Sequence, residues 1–382
     1  MTTSVPGTDP SRPLETVSEL LPSATPVRFL DPAGEPVDEH AGYREPDSGL
    51  LARAYRAMVI GRRLDTQATA LAKQGRIAAF PSSRGQEACQ VGAALALAPL
   101  DWLFPTYRDS TALITRGIPP VEVLAPVRGH RHCGYDPYLH RCAPMATPLA
   151  TQAPHAVGLA SAAARLGEDT VALVLLGDGA SSEGDFHEAL NFAAVFRAPV
   201  VFLVQNNGYA ISVPLARQSA APALAYKGVG YGIPSERVDG NDVLATLAVL
   251  GAAVDHARSG RGPMLVEART YRLGPHTSTD DPSRYRDEAE SREWATRDPL
   301  ARLETHLRRA GLLDDARAAE AHQAAEALAA EIRAATAQPP PTEPDDLFAH
   351  VYAAPPASLA EQRRALADEP RATASADVGG RA

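Results

Sequence analysis

The polar residues best suited to chemistry stand in two short motifs, Gly-Asp-Gly at 177–179 and Gln-Asn-Asn-Gly at 205–208. Each motif directly follows an apolar run of strand length, 171–176 for the first and 199–204 for the second. Between them, residues 183–196 carry apolar side chains every three to four positions, which predicts a helix. Strand, helix and strand at this spacing form a βαβ unit with parallel strands, so both motifs should lie at the same edge of a sheet.

The carboxylate of Asp178 and the carboxamide of Asn207 are therefore expected to converge on one point. Carboxylate, amide and main-chain carbonyl oxygens suit Mg²⁺, which keeps other coordination positions for waters and substrate phosphates. The pattern predicts a magnesium–diphosphate site. A nucleotide-binding fold is the alternative, because residues 177–182 are nearly G-x-G-x-x-G. The third glycine of that motif is Ser182 here, and the second strand ends in Gln205 rather than in an acid for a ribose, which disfavours nicotinamide binding.

Composition and charge limit the class of protein. The chain has 382 residues, enough to bury a large core, and a formal net charge of −9, which argues against a nucleic-acid partner. We find no apolar run of membrane-spanning length and no signal-peptide pattern, so we expect a cytoplasmic protein with no membrane association. Three cysteines do not make a disulfide framework.

The chain divides into four predicted parts. Residues 1–45 are rich in Pro, Ser, Thr and acidic residues and should form an extended, partly disordered arm. Residues 46–300 should form an α/β domain, with a mostly parallel central sheet and helices on both faces. A helical extension follows at 301–365, split near residue 311 and including a last short element at 347–352. Residues 366–382 should be a disordered tail.

Two further segments of the α/β domain carry candidate ligands. Tyr107 and Arg108 follow a short strand that begins at Trp102, and a phenol and a guanidinium can both donate to phosphate oxygens. A solvated surface arginine is the alternative for Arg108. The aperiodic segment 270–287 follows a predicted strand, so His276 should lie on a loop at the catalytic edge of the sheet.

Segment 128–142 contains three histidines and two cysteines, which are zinc-ligand types. Their spacing matches no standard structural zinc site, and nearby prolines suggest a mobile loop. We favour a histidine-rich loop beside the active site over a zinc site.

The motifs together resemble those of a known enzyme family. Gly-Asp-Gly, 26 further residues and Asn-Asn are similar to the thiamine diphosphate motif. From about residue 45 to 365, the chain resembles the alpha subunit of the first, decarboxylating component of 2-oxoacid dehydrogenase complexes. The segments that carry this resemblance are, in order, RGQEACQVGAAL, FPTYRD, PLATQAPHAVG, LGDGASSEGDFHEALNFAA, QNNGYAIS, RVDGNDV and TYRLGPHTSTDDPSRYR.

The resemblance implies a role for each motif residue. Mg²⁺ would be held by Asp178, Asn207 and the main-chain carbonyl of Tyr209. The residues expected around thiamine diphosphate are Tyr107, Arg108, Gly179, Ala180 and His276 at the diphosphate, Thr147 and Leu149 at the aminopyrimidine, and Glu183 close to the bound cofactor. Some branched-chain members have an arginine before the Asn pair that contacts the diphosphate, whereas this chain has the uncharged Gln205.

The resemblance also implies a partner. Thiamine diphosphate needs a carboxylate that polarises its aminopyrimidine, and in this family that group lies in a separate pyrimidine-binding domain. We find only one diphosphate-binding domain here, so the carboxylate should come from a beta subunit in an α2β2 heterotetramer, which the N-terminal arm would wrap. The expected reaction is decarboxylation of a 2-oxo acid with reductive acylation of a lipoyl group on the acyltransferase component. His276 would assist as a proton donor or phosphate contact, with a pKa near the working pH.

The substrate is less closely defined. Segments PLATQ and NNGYAIS favour branched-chain 2-oxo acids, while GQEACQVG and DDPSRYR occur equally in pyruvate enzymes, and acetoin is a third alternative. Two other classes stay open: a free-standing thiamine enzyme, which would need its own pyrimidine domain, and a non-catalytic cofactor-binding or scaffold subunit. Thr277 stands where the animal enzymes of the family that this chain resembles carry a phosphorylated serine, so such control is unsupported.

Overall fold

The computed structural model describes residues 16–129, 133–338 and 344–369. The predictions for residues 1–15, for two of the three histidines of segment 128–142 and for most of the 366–382 tail fall outside these ranges. The helices are α1 (Val17–Leu20), α2 (Ser48–Lys73), α3 (Glu87–Ala96), α4 (Ser110–Thr115), α5 (Pro120–Val123), α6 (Pro137–His140), α7 (Gln152–Leu166), α8 (Gly184–Phe196), α9 (Tyr226–Val229), α10 (Val243–His256), α11 (Glu288–Ala295), α12 (Pro299–Arg309), α13 (Asp315–Ala335) and α14 (Ala357–Asp368). The strands are β1 (Arg28–Leu30), β2 (Pro36–Glu39), β3 (Trp102–Phe104), β4 (Ala172–Gly177), β5 (Val200–Asn206), β6 (Tyr209–Ala210), β7 (Val213–Pro214), β8 (Ser235–Asp239) and β9 (Met264–Arg269). Among the described helices, none combines the length and the apolar character needed to cross a membrane.

Five parallel strands form the central sheet, in the order β3-β4-β5-β9-β8. Alternate side chains of each strand enter two separate cores, as a parallel sheet covered on both faces requires. On β4, Leu173 and Leu175 pack into the core shared with α2, α3 and α10. Val174 and Leu176 pack into the core shared with α7 and α8. The predicted α/β architecture is confirmed.

The predicted βαβ unit is formed by β4, α8 and β5. The two strands pair in parallel from Ala172↔Val200 to Gly177↔Gln205. Both strands therefore end side by side, with Asp178 and Asn207 immediately beyond their carboxyl ends.

Residues 16–45, predicted as part of an extended arm, lie instead against the α/β domain. The main chain of Val27 bridges to the edge strand β8, and β1 and β2 form an antiparallel pair. One carboxylate oxygen of Asp242 accepts hydrogen bonds from the N–H groups of Phe29 and Leu30, at 2.7 and 2.8 Å. Val27, Phe29 and Leu30 are buried, so this part of the chain contributes to the core despite its polar composition.

The C-terminal extension contains the two predicted helices, α12 and α13, on either side of Gly311. Helix α13 packs against α2 through a buried, alanine-rich face. The expected last short element at 347–352 is displaced, because a short 3₁₀ helix spans Pro344–Leu347 and residues 348–352 are neither helix nor strand. Within the described ranges, the last regular element is α14, whose alanine, leucine, glutamate and arginine residues all favour helix.

Candidate functional site

A cleft of about 570 Å³ lies at the carboxyl edge of the sheet, where β4 and β5 end. Ten of the eleven predicted site residues line it: Tyr107, Arg108, Thr147, Leu149, Asp178, Gly179, Ala180, Asn207, Tyr209 and His276. The eleventh, Glu183, is exposed at the N-cap of α8 and does not line the cleft.

One wall of the cleft is built around the carboxylate of Asp178. Its side chain is buried, with 1% of the residue surface exposed. One of its oxygens accepts a 2.8 Å hydrogen bond from Nε2 of Gln218. No described basic side chain forms an ion pair with it, and burial raises its pKa, although Gln218 and the positive charge of Arg272 act in the opposite direction. A buried carboxylate without a bound cation is costly, so this site fits a divalent metal ion.

Asn207 and Tyr209 add oxygen atoms to the same wall. The carboxamide oxygen of Asn207 accepts from the N–H of Tyr209 at 3.2 Å, and the hydroxyl of Tyr209 donates to Glu290 at 2.7 Å. The short β6–β7 hairpin that carries Tyr209 approaches the Gly179 turn closely. A Cβ at position 179 would lie 2.8 Å from the Cβ of Ala210, so glycine permits this approach.

Positive charge is found around Arg108, in contrast to the oxygen atoms of the Asp178 wall. Only 6% of the surface of Arg108 is exposed. One guanidinium nitrogen donates to the carbonyl of Ser82 at 2.9 Å, and the other lies 3.0 Å from Nδ1 of His276. A guanidinium nitrogen of Arg272 lies 3.3 Å from the same Nδ1 atom. The alternative of a solvated Arg108 is therefore wrong. Two buried guanidinium groups in the same cleft as the buried carboxylate of Asp178 make a suitable pocket for a diphosphate.

His276 does not have the pKa expected from the sequence. Burial, followed by the positive charges of Arg108 and Arg272, lowers its pKa to about 4. The expectation that His276 has a pKa near the working pH is therefore wrong. The sequence placed His276 on a loop, but it did not show that two arginines flank the ring. His276 is neutral at neutral pH.

Apolar side chains surround the other end of the cleft. Met145, Pro148 and Leu149 line it together with Ile211, which belongs to the β6–β7 hairpin. Leu149 and Ile211 are 39% and 54% exposed, so the mouth of the cleft carries apolar surface of a kind that proteins commonly cover with a partner.

Sequence reasoning missed Gln86 and Arg272, which also line the cleft. Arg272 could have been found, because it follows strand β9 and so lies at the same edge of the sheet as Asp178. Gln86 carries no such signal, since it reaches the cleft from the start of α3.

The zinc alternative for segment 128–142 receives no support. In the described ranges, no group of three or more His, Cys, Asp or Glu residues is placed to hold a metal ion. Cys142 is fully buried, and burial raises the pKa of its thiol to about 12, so a thiolate ligand is disfavoured. Cys133 donates from its thiol to the carbonyl of Tyr135 at 3.0 Å.

The sequence was also compared with known proteins. The model of the family "Dehydrogenase E1 component" matches residues 55–344. The chain belongs to this family.

A 3-methyl-2-oxobutanoate dehydrogenase subunit alpha of Mycobacterium tuberculosis is 48% identical over 344 residues, 90% of this chain and 94% of that protein. The Pyruvate dehydrogenase E1 component subunit alpha of Acholeplasma laidlawii is 41% identical over 278 residues, 72% of this chain and 80% of that protein. Its counterpart in Staphylococcus aureus is 38% identical over 340 residues, 88% and 91% of the two chains.

Membership of the dehydrogenase E1 family confirms the reaction class predicted from the motifs, that of an oxidoreductase. It also implies thiamine diphosphate as the cofactor. The cleft fits that cofactor, because it combines a buried, unpaired carboxylate, amide oxygen and two guanidinium groups at one end with apolar surface at the other.

Proposed function

We propose that this chain is the alpha subunit of a branched-chain 2-oxo acid dehydrogenase, which binds Mg²⁺ and thiamine diphosphate in the cleft. The observation that carries the proposal is the buried carboxylate of Asp178 at the end of β4, which lies in one cleft with Asn207, Arg108 and Arg272. The similarity to the mycobacterial 3-methyl-2-oxobutanoate dehydrogenase subunit supports the branched-chain substrate, and pyruvate is the alternative because its enzymes are also similar.

When bound, thiamine diphosphate supplies the carbon nucleophile and the electron sink for decarboxylation of a 2-oxo acid. The residues of this chain bind and orient it. Asp178, the carboxamide oxygen of Asn207 and the main-chain carbonyl of Tyr209 would hold Mg²⁺. The guanidinium of Arg108 would donate to diphosphate oxygens, since such charge-assisted hydrogen bonds are short and strong. Gly179 and Ala180 form the turn directly after Asp178 and would contact the diphosphate through their main chain.

His276 would contact the diphosphate or an oxygen of the substrate with its free ring nitrogen. Its neutral imidazole can donate one hydrogen bond without carrying a charge. An anion bound between Arg108 and Arg272 would offset part of their positive charge and raise the pKa of His276 toward its usual value. His276 could then also transfer a proton near neutral pH.

The site requires a second chain to complete it. Among the described residues that line the cleft, Asp178 is the only acid, and it belongs to the metal end. None of these lining residues therefore offers a second carboxylate to activate the aminopyrimidine, which supports a contribution from a beta subunit. We propose an α2β2 heterotetramer that passes the acyl group to the lipoyl group of an acyltransferase component. The exposed apolar mouth at Leu149 and Ile211 supports a covering partner there.

Co-expression with a candidate beta subunit tests this proposal. Reduction of ferricyanide or of a lipoyl domain is measured with 3-methyl-2-oxobutanoate and with pyruvate, each with and without thiamine diphosphate and Mg²⁺. We expect turnover that requires both chains and both cofactors, with 3-methyl-2-oxobutanoate preferred. A pocket distinguishes the two substrates by only ~1–3 kcal/mol per methylene, so the ratio of kcat/KM values decides between them.

Three other outcomes would contradict parts of the proposal. A preference for pyruvate would replace the branched-chain assignment. Turnover by this chain alone would mean that it contains the activating carboxylate. A soluble two-chain complex that binds thiamine diphosphate but turns over no 2-oxo acid would indicate a scaffold subunit.

A further inference from the structure

Four buried side chains form one continuous hydrogen-bonded series, Asp109, Gln205, Gln86 and Asn207, and the last three of them line the cleft. Nε2 of Gln205 donates to Oδ1 of Asp109 at 2.7 Å. Nε2 of Gln86 donates to Oε1 of Gln205 at 3.0 Å, and Nδ2 of Asn207 donates to Oε1 of Gln86 at 3.1 Å. This hydrogen-bonded series therefore ends at Asn207, which the proposed function assigns as a ligand of Mg²⁺.

The direction of these hydrogen bonds is set at Asp109. Burial raises the pKa of Asp109, whereas the hydrogen bonds from Gln205 and Thr106 and the positive charge of Arg108 favour its carboxylate form. A carboxylate accepts hydrogen bonds but does not donate them, and the second oxygen of Asp109 accepts from the N–H and the hydroxyl of Thr106, both at 2.7 Å. Gln205 must therefore turn its NH₂ group to Asp109, which leaves its oxygen for Gln86. Each amide has one donor end and one acceptor end. Gln86 therefore donates from its nitrogen to Gln205 and accepts, with its oxygen, from the nitrogen of Asn207.

This polarity decides which end of the Asn207 carboxamide is available in the cleft. Its nitrogen is occupied by Gln86, whereas its oxygen accepts one hydrogen bond, from the N–H of Tyr209, and keeps a second lone pair. The main-chain N–H of Asn207 interacts with the carboxylate of Asp178, so the two proposed ligands are adjacent. Only the oxygen end can bind Mg²⁺, because Mg²⁺ takes oxygen ligands and a reversed amide would present NH₂.

We propose that Gln205 and Gln86 are positioning residues that hold the Asn207 carboxamide with its oxygen available to a divalent cation. The inference rests on the proposed magnesium–diphosphate site and adds the groups that orient one of its ligands. The proposed role of the uncharged Gln205 differs from a diphosphate contact, because its amide nitrogen bonds to Asp109 and its amide oxygen bonds to Gln86.

Gln205→Met, which removes both hydrogen bonds at similar side-chain length, tests the proposal in the full chain assembled with its beta subunit. Mn²⁺ serves as the probe, and electron paramagnetic resonance of free Mn²⁺ gives its affinity at saturating thiamine diphosphate. We expect Mn²⁺ to bind about 10- to 100-fold more weakly, as is typical when a group that orients a metal ligand is lost. Turnover should recover at saturating Mn²⁺, which damage to the whole site would not allow.

Gln86→Met breaks the neighbouring link and makes the same test if Gln205→Met does not fold. The double variant should bind Mn²⁺ no more weakly than either single variant, because one break already frees Asn207. Gln67→Met is the matched control: Gln67 is also buried, but its oxygen accepts from Arg63 and Arg333 between α2 and α13. Its Mn²⁺ affinity should be unchanged.

Two results would overturn the inference, and they can be told apart. If Gln205→Met and Gln86→Met both bound Mn²⁺ within about two-fold of the unaltered complex, the amide chain would have no positioning role although the metal site exists. If the unaltered complex bound thiamine diphosphate without any divalent cation, the proposed metal site itself would be wrong.

Discussion

The Arg108 guanidinium lies 3.0 Å from Nδ1 of His276, and this contact fixes the tautomer of the imidazole. A guanidinium has only donors, so Nδ1 must be the unprotonated, accepting nitrogen. Arg272 approaches the same atom at 3.3 Å and requires the same arrangement. The single ring proton of the neutral His276 is therefore on Nε2.

The first prediction concerns this tautomer. In the cofactor-free chain at pH 7, we expect the ¹⁵N NMR spectrum to show His276 neutral and protonated on Nε2, with a pKa of about 4. Arg108→Gln removes one of the two neighbouring positive charges, so the pKa of His276 should rise toward 6.5. Arg63→Gln, between α2 and α13, is the control and should leave the titration unchanged. Titration of His276 above pH 6 in the unaltered chain would contradict the assignment.

The same lowered pKa predicts a pH dependence of stability. The pKa of His276 is about 4 in the folded chain and 6.5 when unperturbed, so between these values the unfolded chain binds more protons than the folded chain. The free energy of unfolding should consequently fall as the pH is lowered from about 6.5 to about 4. Urea unfolding of the cofactor-free chain measures this slope, and His276→Gln should reduce it. An identical slope in the variant would mean that other groups cause it.

The variant Asp178→Asn should change stability and metal-dependent cofactor binding in opposite directions. Asparagine keeps the shape of the side chain but removes a buried charge, so the cofactor-free chain should become more stable to urea. Gln218 can satisfy the new amide, since its own Oε1 is buried without a hydrogen-bond partner. Calorimetric titration should show that Mg²⁺-dependent binding of thiamine diphosphate weakens by at least about 100-fold, because even groups that only orient a ligand cost about 10- to 100-fold. Unchanged cofactor binding would remove Asp178 from the metal site.

The sequence predicted that Asp178 and Asn207 lie side by side, because their placement depends on local order. Asp178 and Asn207 each follow a strand, and because the two strands of a βαβ unit run parallel, their carboxyl ends lie at one edge of the sheet regardless of the rest of the fold. The contacts of Gln86 and the pKa of His276 could not be predicted in this way. Gln86 contacts Gln205 across 119 residues of sequence, and Arg108, one of the two arginines that lower the pKa of His276, lies 168 residues before it.

The limits of the fold prediction have a similar origin. Composition correctly marked residues 16–45 as poor in apolar side chains, but the few that are present are buried against the sheet edge. Their ordering depends on distant groups, such as the main chain of β8, which bridges to Val27, and the carboxylate of Asp242, which accepts from two main-chain N–H groups of β1. Composition averages over a segment, whereas burial is decided by individual residues such as Leu30.

A buried ion-pair network joins α2, α3 and the start of α12. Arg62 donates to Glu87 at 2.5 Å and to Asp298 at 3.0 Å, and Glu87 is fully buried. Arg62→Met should lower the free energy of unfolding by about 3–5 kcal/mol, because it leaves the Glu87 charge buried without its partner. The neighbouring Arg63 pairs with the exposed Glu326, so Arg63→Met should cost only about 0–1 kcal/mol. Equal losses in urea unfolding would show that Glu87 does not depend on Arg62.

Gly85 lies just before α3 and packs against the loop that carries Arg272 and His276. Its φ is +97°, and a Cβ added there would overlap the main-chain carbonyl of Tyr271. Gly117 is the matched control, since its φ is +87° but a Cβ would meet no atom within 4 Å.

Gly117→Ala should therefore lower the free energy of unfolding by about 1–2 kcal/mol, the cost of the left-handed backbone for alanine. Gly85→Ala adds an overlap with packed backbone and should lose about 2–5 kcal/mol in all. Moving Tyr271 to relieve the overlap would shift Arg272 and His276 with it, so Gly85→Ala should also weaken the binding of thiamine diphosphate. Gly117→Ala should leave that affinity unchanged. If the two variants lost equal stability and kept equal cofactor affinity in unfolding and calorimetric measurements, close packing at Gly85 would not position the loop.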